Sequence, residues 1–326
     1  MIVGQDRALE QFATAWATRK LHHAWLLAGP KGVGKGTFAH AAARRVLAEA
    51  AGPPFNLPDL STSDEHPIVK LVEAGSHPDM RRLERLVNDK TGNLARNISV
   101  DQIRELGEFL SLTAALSQWR VVLIDSLDDL ETSGANALLK ILEEPPPNTL
   151  FFLVSHAPGR LLPTIRSRCR RLDFGKLDSG AMTSVLASHA ADLKPAEQDR
   201  IISMSYGSAG RALAFAELGL AKLEDAALAI LRQGDPTNAR RSDLASELGK
   251  KASADRYAAF LDLAPSLIAR EARNLQGGSR ERALDAYAKA RELATIAPRL
   301  SLDPAATVFQ IAGILADVPE PPSLKR

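Results

Sequence analysis

The sequence predicts an α/β fold: a parallel sheet with helices on both faces, followed by purely helical domains. Three observations carry this. Short apolar runs at 24–28, 121–124 and 150–154 alternate with helical stretches. A glycine-rich loop separates the first run from the helix after it. After Phe174 no further buried-strand pattern appears, and the periodicity is helical to the end. The expected division is therefore an α/β domain over 1–173, a small helical domain over 174–221 and a helical bundle over 222–326.

Each element has its own warrant. Ala24-Trp25-Leu26-Leu27-Ala28 is apolar throughout, as a strand covered on both faces must be. A helix is predicted from Lys35 to about Glu49. Residues 50–67, rich in Pro, Ser, Thr and Asp, read as a loop. Ser99-Val100-Asp101-Gln102 matches a capping box, in which Ser99 and Gln102 satisfy orphan amides, and opens a helix to about Ala115. Val121-Val122-Leu123-Ile124 is a second strand, ending at Asp125. Ser133 is expected to cap a helix through Leu142, which Pro145-Pro146-Pro147 stops. Leu150 to Val154 is a third strand. Leu177–Ala190 and Ala196–Met204 read as helices, with a break at Gly207-Ser208-Ala209-Gly210. From Leu223 onward the pattern is helical, punctuated at Gly234-Asp235-Pro236, Gly277-Gly278 and Asp303-Pro304.

Bulk properties narrow the class. Of 326 residues, 45% are hydrophobic and 25% charged, the mix of an ordinary globular protein. A net charge of +2 is too mild to diagnose nucleic-acid binding. No apolar run approaches the roughly 20 residues of a membrane helix, and no signal peptide opens the sequence. A cytoplasmic location is expected, with no membrane partner. Cys169 is the only cysteine, which excludes an internal disulfide and a thiolate zinc site. His66 and His77 are too few to replace the thiolates and read as surface or loop residues. Arg81, Arg82 and Arg85 read as a solvated face; a second cluster comprises Arg166, Arg168, Arg170 and Arg171.

The chemistry begins at Gly29-Pro30-Lys31-Gly32-Val33-Gly34-Lys35, which fits G-x-x-x-x-G-K between a strand and a helix. Gly29, Gly32 and Gly34 let backbone amides close on phosphate oxygens. The helix presents its N-terminus to the anion, and Lys35 reaches the outer phosphates. The eighth position, where a hydroxyl normally holds magnesium, is Gly36, with Thr37 one place later. Asp125, at the end of an apolar strand, is a candidate magnesium-side acid. Ser126 follows where a water-polarising Glu would stand, and Asp128 and Asp129 are poorly placed to replace it. The expectation is ATP or ADP binding with negligible hydrolysis, without the usual magnesium ligands. Gly34-Lys35-Gly36-Thr37 also resembles an adenylate kinase loop, but 28 residues precede Gly29, whereas such kinases begin almost directly with this strand.

The run Ala135-Asn136-Ala137-Leu138-Leu139-Lys140-Ile141-Leu142-Glu143-Glu144-Pro145-Pro146, then Phe151-Phe152-Leu153-Val154 and Ser167-Arg168-Cys169, resembles the clamp-loader ATPases of bacterial replication, within the AAA+ superfamily. Weaker matches reach Val3-Gly4-Gln5, His22-His23-Ala24, His77-Pro78-Asp79 and Leu302-Asp303-Pro304. The resemblance implies that Arg168 is an arginine finger aimed at a neighbouring subunit's ATP; the residues alone favour a pair with a local carboxylate. It implies that Val3 and Gly4 lie near the adenine, that Ser155 is a first sensor and that Arg211 is a second. It implies as partners the motor ATPase and delta-type subunits, with the sliding clamp and primer-template DNA reached through the assembled complex. The sequence departs from the family's motor subunits at Gly36 and Ser126, and lacks the four-cysteine zinc module. The implied role is a subunit that keeps the finger without being a motor; an active motor ATPase of the same complex is the alternative.

Overall fold

The computed structural model describes residues 2–52, 55, 60–87 and 94–319. The loop expected over 50–67 and the end of the bundle lie partly outside them. The chain divides into two compact units, Met1–His189 with Ser205–Arg211, and Ala190–Met204 with Ala212–Arg326.

In the first unit the order is α1 (Asp6–Ala17), β1 (Ala24–Ala28), α2 (Lys35–Ala50), α3 (Pro67–Glu73), β2 (Met80–Leu83), α4 (Val100–Ser111), β3 (Arg120–Asp125), α5 (Thr132–Glu143), β4 (Thr149–Ser155), α6 (Pro163–Arg166), β5 (Arg170–Asp173) and α7 (Ser179–His189). The five strands form one parallel sheet in the order β2-β3-β4-β1-β5. Alternating side chains split into two cores, as the period of a strand requires. Trp25, Leu27, Val121, Leu123, Phe152 and Val154 face α1, α2 and α3. Leu26, Val122, Ile124, Phe151 and Leu153 face α4 and α5. On the first face, the buried Phe12 ring lies 5.2 Å from Trp25, 5.9 Å from Phe38 and 5.4 Å from Phe152. Edge and tilted pairs of this kind add about 0.5–1.5 kcal/mol each beyond their burial.

Several boundaries differ from expectation for local reasons. The capping box at Ser99 and Gln102 is present, but its helix ends at Ser111 rather than near Ala115. Asp79 draws the next segment away, accepting the amides of Ala115, Leu116 and Ser117. Ser133 is not a cap: Glu131 holds the N-cap position, and α5 starts at Thr132. The bridge between Ile98 and Leu130 keeps the chain extended up to that point. His77 lies in a loop, as expected, but is buried there, its Nδ1 accepting the Asp79 amide. His66 caps α3 by accepting the Ile68 amide. The expected break at 207–210 is shorter, because a helix already begins at Ala209.

The second unit is helical: most of α8 (Pro195–Ser205) and α9 (Ala209–Glu217), then α10 (Leu220–Gln233), α11 (Ala239–Leu248), α12 (Ala254–Ala272), α13 (Gly277–Leu300) and α14 (Pro304–Ala316). Phe260, Leu267, Ile268, Ile311 and Leu315 are among its core. Glu224 is buried there between Arg200 and Arg270, at 3.1 and 2.8 Å, a pairing that a buried carboxylate needs. None of the described helices is long and apolar enough to cross a membrane.

Candidate functional site

The phosphate loop leaves the C-terminal end of β1 and enters α2 at Gly34, whose φ of 96° favours glycine. The loop amides and the start of α2 make a ready anion site. Lys35 is buried; its Nζ donates to the carbonyls of Gly29 at 2.7 Å and Pro30 at 2.5 Å. An ammonium has three donors, so one remains for a phosphate oxygen. Burial pushes the Lys35 pKa down to about 8, with Asp125 and then Asp128 pulling it back up.

The magnesium side is built differently. A Cβ at Gly36 would stand 2.8 Å from Asp125 Oδ2, so a side chain there would require that carboxylate to shift. Thr37 is exposed on α2. Ser126 is buried, and its hydroxyl donates to Asp129 Oδ2 at 3.0 Å; Asp129 also pairs with Arg85 at 3.4 Å. Asp128 accepts from the Ser155 hydroxyl and from the amides of His156 and Ala157. Both acids after Asp125 are thus engaged by neighbouring groups of the same unit. Gly36 brings no side-chain oxygen to this place. Among the described residues no cluster of three acids, histidines or cysteines exists to hold a metal otherwise.

Ser155 is fully buried with its hydroxyl turned to Asp128. The polar side chain that follows it, His156, was not singled out in the sequence. Its pKa is lowered, by burial first and by Lys35 next, against the opposing pull of Asp128 and Asp125. A polar residue directly after an apolar strand was the available signal. On the other side of the loop, the Gly210 amide donates to Gly32 O at 2.8 Å, and the Ser208 hydroxyl to Lys31 O at 3.0 Å. These bonds bring Arg211 to the loop; its guanidinium lies 5.8 Å from the Tyr206 ring centroid. Val3 and Gly4 precede Gln5, whose amide bonds Val33 O and Gly175 O and so ties that segment to the loop.

Arg168 lies elsewhere. Trp25 pairs with Arg170 and Ala28 with Asp173 in parallel register, so Arg168 precedes the N-terminal end of the sheet. The phosphate loop leaves the opposite end, roughly 10 Å further along the strands at ~3.3 Å per residue. Three side chains fold back on the α6 turn. The Ser167 hydroxyl and Arg168 Nη1 both donate to Thr164 O at 3.0 Å, and Cys169 Sγ donates to Ile165 O at 3.1 Å. Burial pushes the Cys169 thiol up to about 12, so it is an inert anchor. Arg168 Nη2 pairs with Glu143 Oε1 at 2.7 Å, while Arg170 lies 4.9 Å from the Trp25 ring centroid and Arg171 pairs with Asp173. The first arginine cluster is similarly engaged: Arg81 over Phe109, Arg82 with Glu84, and Arg85 with Asp129.

A protein family described as "DNA polymerase III, delta subunit" matches residues 4–178. DNA polymerase III subunit delta′ of Pseudomonas aeruginosa is 38% identical over 190 residues, 57% of this chain and 53% of its own. Subunit delta′ of Escherichia coli is 35% identical over 162 residues, 49% of this chain and 45% of its own. DNA polymerase III subunit tau of Bacillus subtilis is 29% identical over 237 residues, 70% of this chain and 39% of its own. The chain spans about half, or less, of the length of these curated relatives. With a family match over more than half of the sequence, and delta′ relatives beside it, the chain belongs to the DNA polymerase III delta-subunit family.

Proposed function

We propose that the chain acts as the delta′ subunit of a bacterial clamp loader, holding nucleotide without efficient hydrolysis and lending Arg168 to a neighbouring ATPase subunit. The observation that carries this is the place of Arg168, at the end of the sheet opposite its own phosphate loop. A guanidinium there is out of reach of phosphates on Lys35 and available to a site on another molecule. The charge that develops in phosphoryl transfer is what such a group stabilises. The chain's own site keeps Lys35 but has Gly36 against Asp125, and Ser126 turned to Asp129, which favours ATP or ADP binding over turnover.

The partners in this reading are motor ATPase subunits and a delta subunit, with the sliding clamp and primed DNA reached through the complex. The three-part division at 173 and 221 belongs to the same reading, with 222–326 as the assembly region in a cytoplasmic hetero-oligomer.

The test is ATP turnover by the assembled loader. Arg168→Ala is expected to slow the faced site about a hundredfold or more. Arg168→Lys should not restore it, since an ammonium lacks the planar fork. Arg170→Ala controls for lost positive charge. Equal defects at 168 and 170, or none at either, would reduce the cluster to a basic surface. Robust turnover by the purified chain alone would point instead to a motor subunit.

A further inference from the structure

The exposed end of α5 carries an acid that the reaction scheme does not use. Glu143 is the last residue of α5, and its Oε1 lies 2.7 Å from Arg168 Nη2. Arg168 Nη1 is held at the same time by the Thr164 carbonyl at 3.0 Å. Both terminal nitrogens of the guanidinium are therefore fixed, from two different helices, α5 and α6. Each terminal nitrogen has two hydrogens and spends one here, leaving a second on each for a two-point contact with phosphate.

The pair is not a stability device. The two side chains are 34% and 43% exposed, and exposed pairs contribute little to folding. Its consequence is order. An unpaired arginine at a surface samples many rotamers, and freezing them as charge develops on the phosphate adds to the barrier of transfer. A carboxylate also draws on the same positive charge that a phosphate would use. Together the Glu143 and Thr164 bonds take two of the five hydrogens and leave three, so orientation outweighs competition.

We propose that Glu143 is a positioning residue for Arg168, holding the guanidinium in the geometry in which it meets a polyphosphate on an adjoining subunit; this rests on the reading of Arg168 as a finger in trans. Loss of the carboxylate then slows turnover at the neighbouring site without changing how tightly that site holds ATP.

The experiment measures steady-state ATP hydrolysis by the fully assembled loader, with kcat and KM determined separately. Four versions of this chain are compared with wild type: Glu143→Ala, Glu143→Gln, Arg168→Ala and the Glu143→Ala/Arg168→Ala double variant. Glu143→Ala is expected to lower kcat about three- to tenfold with KM unchanged. Glu143→Gln, which keeps a carbonyl acceptor, should recover most of the rate. The double variant should be no slower than Arg168→Ala alone, because Glu143 acts through Arg168. An unchanged or raised kcat in Glu143→Ala beside a large loss in Arg168→Ala overturns the positioning role and leaves the finger standing. A further loss in the double variant also overturns it, because Glu143 would then act independently. No loss in Arg168→Ala sinks the finger reading and this inference together.

Discussion

Lys35 and Arg168 are both cations suited to phosphate, yet the fold sets them in opposite circumstances. Lys35 is buried at the C-terminal end of the sheet, with two donors on its own loop and its pKa pushed down to about 8. Arg168 stands before the N-terminal end, one-third exposed, with a planar guanidinium held by Glu143 and Thr164. The first arrangement suits a ligand that enters the chain's own cradle. The second suits a ligand brought by another molecule. In the proposed reading one sheet separates holding a nucleotide from assisting its hydrolysis, and disabling either end should leave the other intact.

The largest effect expected at the cradle end comes from Lys35→Ala. Losing a charge-assisted hydrogen bond to phosphate should weaken binding of a labelled ATP analogue about 10- to 100-fold, read by equilibrium titration of the purified chain. Arg168→Ala in the same titration should leave affinity unchanged, and a matched loss would break the comparison.

pH sharpens it next. Lys35 attracts phosphate only when protonated, and its free-state pKa is about 8. Affinity should therefore hold steady up to about pH 7.5 and fall as pH rises through 8, by about tenfold between pH 8 and 9.5. Arg168→Ala should leave this pH profile of affinity as it is in the wild type. Flat affinity from pH 7 to 9.5 would mean that the cradle does not rely on the Lys35 charge.

The smallest effect serves as a control for both ends. Ser99→Ala removes the capping box that starts α4 and should cost about 1 kcal/mol of stability, measured by denaturant unfolding. It should alter neither nucleotide affinity nor loader turnover. A change in either would show that general loosening mimics a site defect.

The two ends were unequally legible in the sequence. β1, β3 and β4 are covered on both faces, so their runs are continuously apolar and easily read. β2 and β5 are edge strands of four residues, each with a single buried position, Leu83 and Leu172. Their arginines conceal them from any pattern of apolar residues. The phosphate loop was legible because its chemistry is local, with strand, glycines and lysine adjacent in the chain. The commitment of Asp128 to the end of β4 spans 27 to 29 residues, and no spacing rule announces it. The Glu143–Arg168 pair is equally hidden, since it joins the end of one helix to the turn after another. Arg168 stands out in the sequence only through the resemblance at Ser167-Arg168-Cys169, and in the fold all three side chains return to the α6 turn.

The most direct test of the separation is a paired measurement on Arg168→Ala. Nucleotide affinity is measured on the purified chain, and ATP turnover is measured on the loader assembled with that same preparation. The account predicts wild-type affinity in the first and loss of turnover at one site in the second. A fall in both together, or in affinity alone, would contradict it.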